Sequence, residues 1–214
     1  FGSSLSVQIC SPMKPYRSFE VVLLGDGCVG KSSLVRRWCQ RDFQHNGIPS
    51  TVGMDFIVKR ISCGAERIRL KLWDTAGGPR WDSLQPAFIS VAAATIIVYD
   101  VTKSQTWQRA RQFVDQVRSQ LGEDGALLAV VGNKADMDTE REVSAEEAEQ
   151  ECKALGAIFL ETSAKTGHNV DFLFRAVGEQ LQTRPPRPQP EPEPAVLEEE
   201  RPSPRKRCCV FPRM

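Results

Sequence analysis

The 214-residue chain contains no apolar run long enough to cross a bilayer. Its longest, Val91 to Tyr99, has about half the ~20 residues that a spanning helix needs, and reads as a buried strand. Neither charge is in excess, with 28 Lys and Arg against 27 Asp and Glu, so no overall field calls for nucleic acid. The seven cysteines show no ligand-pair spacing for zinc, and their odd number fits poorly with a disulfide framework. Reduced thiols in the cytosol are the simpler account. The first residues lack a basic stretch followed by a long apolar one, so no secretory signal is expected. Gly2 and Ser6 echo the myristoylation pattern, but Phe1 stands where that modification requires methionine.

What is present is one domain and a tail. From Phe19 to about Leu181, apolar runs alternate with segments of helical period. Phe19–Leu24, Met54–Ile61, Ile68–Trp73, Ala94–Asp100, Leu127–Gly132 and Ala157–Glu161 are predicted strands, several apolar almost throughout, as strands covered on both faces are. The short Cys63-Gly-Ala-Glu66 link between the second and third predicts a hairpin and one antiparallel edge. Ala110, Phe113, Val114, Val117 and Leu121 mark one helix face, and Val170, Leu173, Phe174, Val177 and Leu181 another. Ser144 followed by Glu147 has the capping-box spacing. These signals predict an α/β fold: a six-stranded, mostly parallel sheet with one antiparallel edge strand and helices on both faces. Residues 1–17 are expected to be a flexible arm, 18–182 the domain, and 183–214 a disordered hypervariable tail. From Arg184 onward the chain holds nine of the fourteen prolines and five glutamates, with almost nothing to form a core. Pro185 and Pro188 form a PxxP, but no basic residue sits at the flank an SH3 ligand would want, so it reads as linker.

The densest chemical signal is Gly25-Asp26-Gly27-Cys28-Val29-Gly30-Lys31-Ser32-Ser33, between a predicted strand and a predicted helix. Strand, glycine-rich turn and helix is the setting in which this spacing cradles phosphates. Gly25 and Gly30 let backbone N–H groups point inward, Lys31 adds charge for β and γ phosphates, and the Ser32 hydroxyl can ligate magnesium. The helix N-terminus adds its positive end.

Asn133-Lys134-Ala135-Asp136 follows a predicted strand at the carboxyl edge of the sheet. A carboxylate there can accept two hydrogen bonds from guanine, whereas adenine offers no matching donors and would leave Asp136 unpaired. Glu161 to Lys165 (ETSAK), with Ser163, Ala164 and Lys165, supplies a second loop to the base. Asp74 in WDTAG can hold magnesium through water, Gly77 can offer its N–H to a γ-phosphate, and Thr51 is placed to ligate magnesium when that phosphate is present. Two loops that grip a third phosphate and release a second make a switch.

GDGCVGKSS, STVGMDF, KLWDTAG, NKAD and ETSAK, in this order, resemble a P-loop small GTPase of the Ras superfamily over roughly Phe19 to Leu181. VGMDF and KLWDTAG, with no Rho-type insertion after NKAD, are most similar to the Rab branch. The resemblance implies GTP/GDP and Mg2+ as ligands, exchange factors, activating proteins and effectors as partners, a monomer, and a place in vesicle-mediated traffic on the cytosolic face of an endomembrane or the plasma membrane. It implies also that Phe56, Trp73 and Phe88 form the aromatic triad read by effectors.

Two places depart from the family. Its switch reads DTAGQE; this chain reads DTAGGP, with Gly78 in place of the water-positioning glutamine and Pro79 after it. Glycine has no side chain to orient a water, so slow intrinsic hydrolysis is expected. A binding module constitutively loaded with GTP, without useful hydrolysis, is the alternative. Arg205 to Cys209 (RKRCC) resembles a basic double-cysteine Rab terminus, implying lipidation of Cys208 and Cys209, yet five residues follow Cys209.

Overall fold

The computed structural model describes residues 16–43, 51, 53–64, 66–78, 85–122 and 125–184. Expectations for residues 1–15 of the amino-terminal arm, for Pro79, for the tail from 185 with its PxxP, and for Cys208 and Cys209 lie outside these residues. Arg17, expected in the arm, instead opens the first strand and is tied to Gln182 and Arg184. In chain order the elements are β1 (Arg17–Leu24), α1 (Lys31–Gln40), β2 (Met54–Cys63), β3 (Glu66–Thr75), α2 (Gln85–Val91), β4 (Ala94–Asp100), α3 (Ser104–Leu121), β5 (Leu127–Asn133), α4 (Ala145–Ala154), β6 (Ile158–Thr162) and α5 (Val170–Thr183). The strands form one sheet in the order β2-β3-β1-β4-β5-β6. The expected hairpin is there: β2 and β3 pair antiparallel from Met54↔Thr75 to Cys63↔Glu66, and every other pairing is parallel.

The continuous apolar strands have a direct physical reason. Alternate side chains of one strand point to opposite faces, and here both faces are covered. Val21 and Leu23 of β1, with Ile96 and Val98 of β4, pack under α1 and α5; Val22, Leu24, Ile97 and Tyr99 pack under α2, α3 and α4. The first layer is closed by Trp38 stacked on Phe174 at 4.1 Å and 15°. Both predicted helix stripes face inward, with Val114, Val117, Leu173 and Phe174 buried. Ser144 caps α4 by accepting from the Glu147 N–H at 3.3 Å. The reciprocal half of the box does not form among the described residues; the Ser144 hydroxyl instead donates to Glu146 at 2.8 Å. The consequence for function is that β1, β3, β4 and β5 all end on the same rim, and the loops leaving them converge there.

Candidate functional site

β1 ends fully buried at Leu24, and the chain then turns across the rim. Gly25 has φ +147, and a Cβ on it would stand 2.3 Å from the Val98 carbonyl of β4. Cys28 (φ 61) and Gly30 (φ 100) are left-handed, the alternation that turns successive N–H groups into one concavity. Gly30 is the N-cap of α1. A Cβ there would fall 2.2 Å from the Asn133 side chain, so this cradle closes only around glycine. Asp26 accepts from the Gly27 N–H at 2.7 Å, Cys28 is exposed, Val29 is buried, and Ser33 lies in the first turn of α1. Lys31 is only 5% exposed. Its ammonium donates to the carbonyls of Gly25 and Asp26, both at 2.8 Å. Burial lowers its pKa to about 8, against the attraction of Asp74, Asp26 and Cys28. An added anion would therefore meet a desolvated, aimed cation.

Thr51, Ser32 and Asp74 line one cavity of about 170 Å³ together with Val35, Arg36, Asp55 and Ile57. The hydroxyls of Ser32 and Thr51 are 2.8 Å apart. Asp74 is 3% exposed, and its Oδ1 has no hydrogen-bond partner among the described residues. Burial pushes the Asp74 carboxyl pKa up, and the nearby Ser32 hydroxyl and Lys31 oppose this only in part. Two hydroxyls and a buried carboxylate with one unpartnered oxygen are a hard, oxygen-only donor set, which fits magnesium held by few protein ligands. Among the described residues no group of three His, Cys, Asp or Glu could form a protein-only metal cage.

Gly77 closes the site from β3: a Cβ on it would lie 2.4 Å from the Gly27 nitrogen and 2.5 Å from the Asp26 carbonyl carbon. The Ala76 N–H donates to the Gly53 carbonyl at 3.0 Å, joining the segment after Thr51 to the end of β3. Gly78, the next residue, has φ +115, and a Cβ on it would meet nothing within 4 Å.

On the other side of the cradle the structure brings the two predicted base loops together. Asn133, 1% exposed, donates to the Val29 carbonyl at 2.8 Å and accepts from the Ala164 N–H at 3.2 Å. Its amide thus ties phosphate loop, β5 and the ETSAK loop into one unit. Asp136 accepts from the Ser163 hydroxyl at 2.6 Å and lies 3.6 Å from the Lys165 ammonium. Lys134 is left-handed (φ 69), and its ammonium reaches Asp100 at 2.5 Å.

Asp100 escaped the sequence reading, although a carboxylate ending an otherwise apolar strand was a visible signal. It is 1% exposed. Burial alone would raise its pKa, but hydrogen bonds from Lys134 and Thr102 outweigh this and hold it below the usual carboxylate range. Arg141 was missed too; it clamps Glu161 through two hydrogen bonds of 2.6 and 2.9 Å and Asp138 at 2.8 Å, bracing the loop after Asp136 against ETSAK. Nothing in local spacing announces a pair twenty residues apart.

The predicted aromatic trio is contiguous. Phe56 and Trp73, opposite one another in the β2–β3 register, have ring centroids 4.5 Å apart, and Trp73 and Phe88 are 5.8 Å apart. Phe56 is 45% exposed, so the group has a solvent-facing side. Glu20 accepts from the Trp73 indole and from Lys71, each at 2.7 Å, fixing the indole from below.

Residues 20–183 match the family model of the Ras family. The chain is 37% identical over 197 residues to the human "Ras-related protein Rab-31", covering 92% of this chain and all of the relative. To the Rab-31 of Mus musculus it is 36% identical over the same coverage. With the strand order, the glycine cradle and these matches in agreement, the chain belongs to the Ras family as a Rab-type small GTPase, a guanine-nucleotide-binding protein with regulator and effector partners.

Proposed function

We propose that this protein is a GTP/GDP switch in vesicle-mediated membrane traffic that binds nucleotide firmly and hydrolyses GTP slowly on its own. The cradle of Gly25 to Ser33 would hold the phosphates, with Lys31 neutralising the β and γ oxygens. Asp136, kept in place by Ser163, would read guanine, and Asn133, Lys134, Ala164 and Lys165 would hold that pocket together. Ser32, Thr51 and Asp74 would hold a magnesium ion, whose contribution is charge neutralisation at the β and γ phosphates. The Gly77 N–H would meet the γ-phosphate, coupling its presence to the segment that carries Gly78. The trio Phe56, Trp73 and Phe88 would be the face that effectors read. Cys208 and Cys209 are proposed to carry lipid that attaches a monomeric protein to the cytosolic side of its membrane. Among the described residues no helix is long and apolar enough to cross one.

The observation that carries the slow-hydrolysis reading is at Gly78. The phosphate loop and the base loops are braced, whereas no described residue lies within 4 Å of where a Cβ on Gly78 would stand, and glycine has no side chain to steer water. The test is single-turnover GTP hydrolysis by the wild type, Gly78→Gln and Gly78→Gln with Pro79→Glu. A side chain at φ +115 carries a backbone cost of about 1–2 kcal/mol, so the single variant is expected to gain less than the double. Equal rates in all three would remove this reading. The second reading, a module that stays loaded with GTP, is favoured by the same residue. Nucleotide extracted from protein purified out of cells separates them: mostly GDP supports cycling, and mostly GTP supports permanent loading. Intact mass of the cellular protein checks the lipid.

A further inference from the structure

The outward face of β2, β3 and β1 carries two kinds of chemistry. Near the nucleotide rim stand Phe56 and Trp73; at the opposite end three arginines gather. The antiparallel register sets Arg60 directly across from Arg69, and Arg67 across from Ser62. Both Arg60 and Arg69 lie over the ring of Tyr16, with guanidinium centres 5.4 and 5.9 Å from its centroid. Like charges placed opposite each other on a sheet are destabilising, and one shared aromatic ring offsets only part of that. Among the described residues, none of Arg60, Arg67 and Arg69 forms an ion pair. The carboxylate that this face does carry, Glu20, is occupied by Lys71 and Trp73. An external anion is what the face is short of.

The chain itself supplies one at the right place. Arg17, the first residue of β1, donates to the carbonyls of Gln182 and Arg184, both at 3.0 Å. The polypeptide therefore leaves α5 beside the start of β1, on the opposite face of the sheet, and would have to pass round that end, where Ser18 is the register partner of Arg69, to reach the arginines. Residues 191–200 read EPEPAVLEEE, with five glutamates and no basic residue. From Arg184 to Glu191 an extended stretch spans roughly 20 Å at ~3.1 Å per residue, wider than several strands at ~4.8 Å spacing. We propose that the acidic segment 191–200 of this same chain docks on the arginine face made by Arg60, Arg67, Arg69 and Tyr16. Tethering supplies an effective concentration on the order of millimolar, enough for a weak, salt-sensitive contact. The docked segment competes with any acidic partner that approaches the arginine end of this face.

The test uses three full-length proteins at low salt: the wild type, a tail variant carrying E191Q, E193Q, E198Q, E199Q and E200Q, and a face variant carrying R60Q and R69Q. The probe is a fluorescent oligoglutamate peptide, read by polarisation. The tail variant is expected to bind it about tenfold more tightly than the wild type, because the tethered competitor is gone; the face variant is expected to bind it hardly at all. Equal binding by wild type and tail variant overturns the tail as occupant and assigns the face to acidic segments of other chains. Equal binding by the face variant, or no binding by any of the three, overturns the face itself. Bound guanine nucleotide measured in the same samples is expected to be unchanged. Arg60→Gln alone, at an exposed position, carries the test if the double variant misfolds.

Discussion

Asn133 offers the most discriminating perturbation, because one buried amide joins three loops. Its Nδ2 donates to the Val29 carbonyl at 2.8 Å, and its Oδ1 accepts from the Ala164 N–H at 3.2 Å and the Thr162 hydroxyl at 3.4 Å. Asn133→Asp keeps the acceptor and removes the donor, leaving the Val29 carbonyl unpaired and facing a second oxygen. An unsatisfied buried group costs about 1–3 kcal/mol. Asn133→Ala strands both Val29 and Ala164, for about 2–5 kcal/mol in total. The ties join loops to one another rather than helices to the sheet, so the larger share of this loss is expected in nucleotide affinity and the smaller in global stability. A loss of 1–3 kcal/mol in binding is roughly a five- to 150-fold faster or weaker hold on GDP. Release of a fluorescent GDP analogue and denaturant melts of the same samples measure the two shares. Release from Asn133→Asp at the wild-type rate would refute the idea that the Val29 bond shapes the cradle. Loss of stability in proportion to the loss of affinity would refute the assignment to loops.

Three further perturbations test separate parts of the account. Gly30→Ala places a methyl 2.2 Å from the Asn133 amide at φ +100, and is expected to weaken GDP binding at least as much as Asn133→Ala, read by the same release assay. Asp100→Asn is expected to lower the thermal midpoint at pH 7. The folded pKa of Asp100 lies below its unfolded value of ~3.9, so its contribution is complete above that value and lost as pH falls through the folded one. The gap between the two proteins should therefore close in acid, as melts from neutral to low pH would report; a constant gap contradicts the linkage. Thr95 is fully buried on β4 with a hydroxyl that has no partner among the described residues, so Thr95→Val should raise stability by about 1 kcal/mol in a denaturant melt without changing GDP release.

The sequence made the sheet legible because strands covered on both faces leave unbroken apolar runs, as in Ala94–Asp100 and Leu127–Asn133, buried at every position. The phosphate loop was legible from its spacing and the aromatic trio only through the resemblance; the register that sets Phe56 against Trp73 is what the structure adds. What was not legible is bracing across long sequence distances. Asn133 was visible as part of the base loop, but the tie that its buried amide makes between Val29 and Ala164 was not. Asp100 with Lys134, and Arg141 with Glu161, join segments that no helical or strand period links. Such pairs depend on which loops the topology lays side by side, and local pattern holds no record of that. The cap at Ser144 is half of the expected box: the hydroxyl accepts from the Glu147 N–H as the spacing predicts, and its own proton goes to Glu146.

The neighbouring glycines of the switch show why binding and hydrolysis can be separated in this chain. Gly77 is glycine because the phosphate loop leaves no room: any Cβ would press on the backbone of Asp26 and Gly27. Its identity belongs to the same braced unit as Gly30, Lys31 and Asn133. Gly78 meets no such contact among the described residues, and only its φ of +115 favours glycine there. On the proposed reading, glycine in place of the family's glutamine costs the cradle no contact among the described residues. It can abolish the positioning of a water while every contact that holds the cradle together stays in place. Slow hydrolysis at Gly78, as proposed, therefore leaves untouched the guanine-nucleotide binding that the family shows.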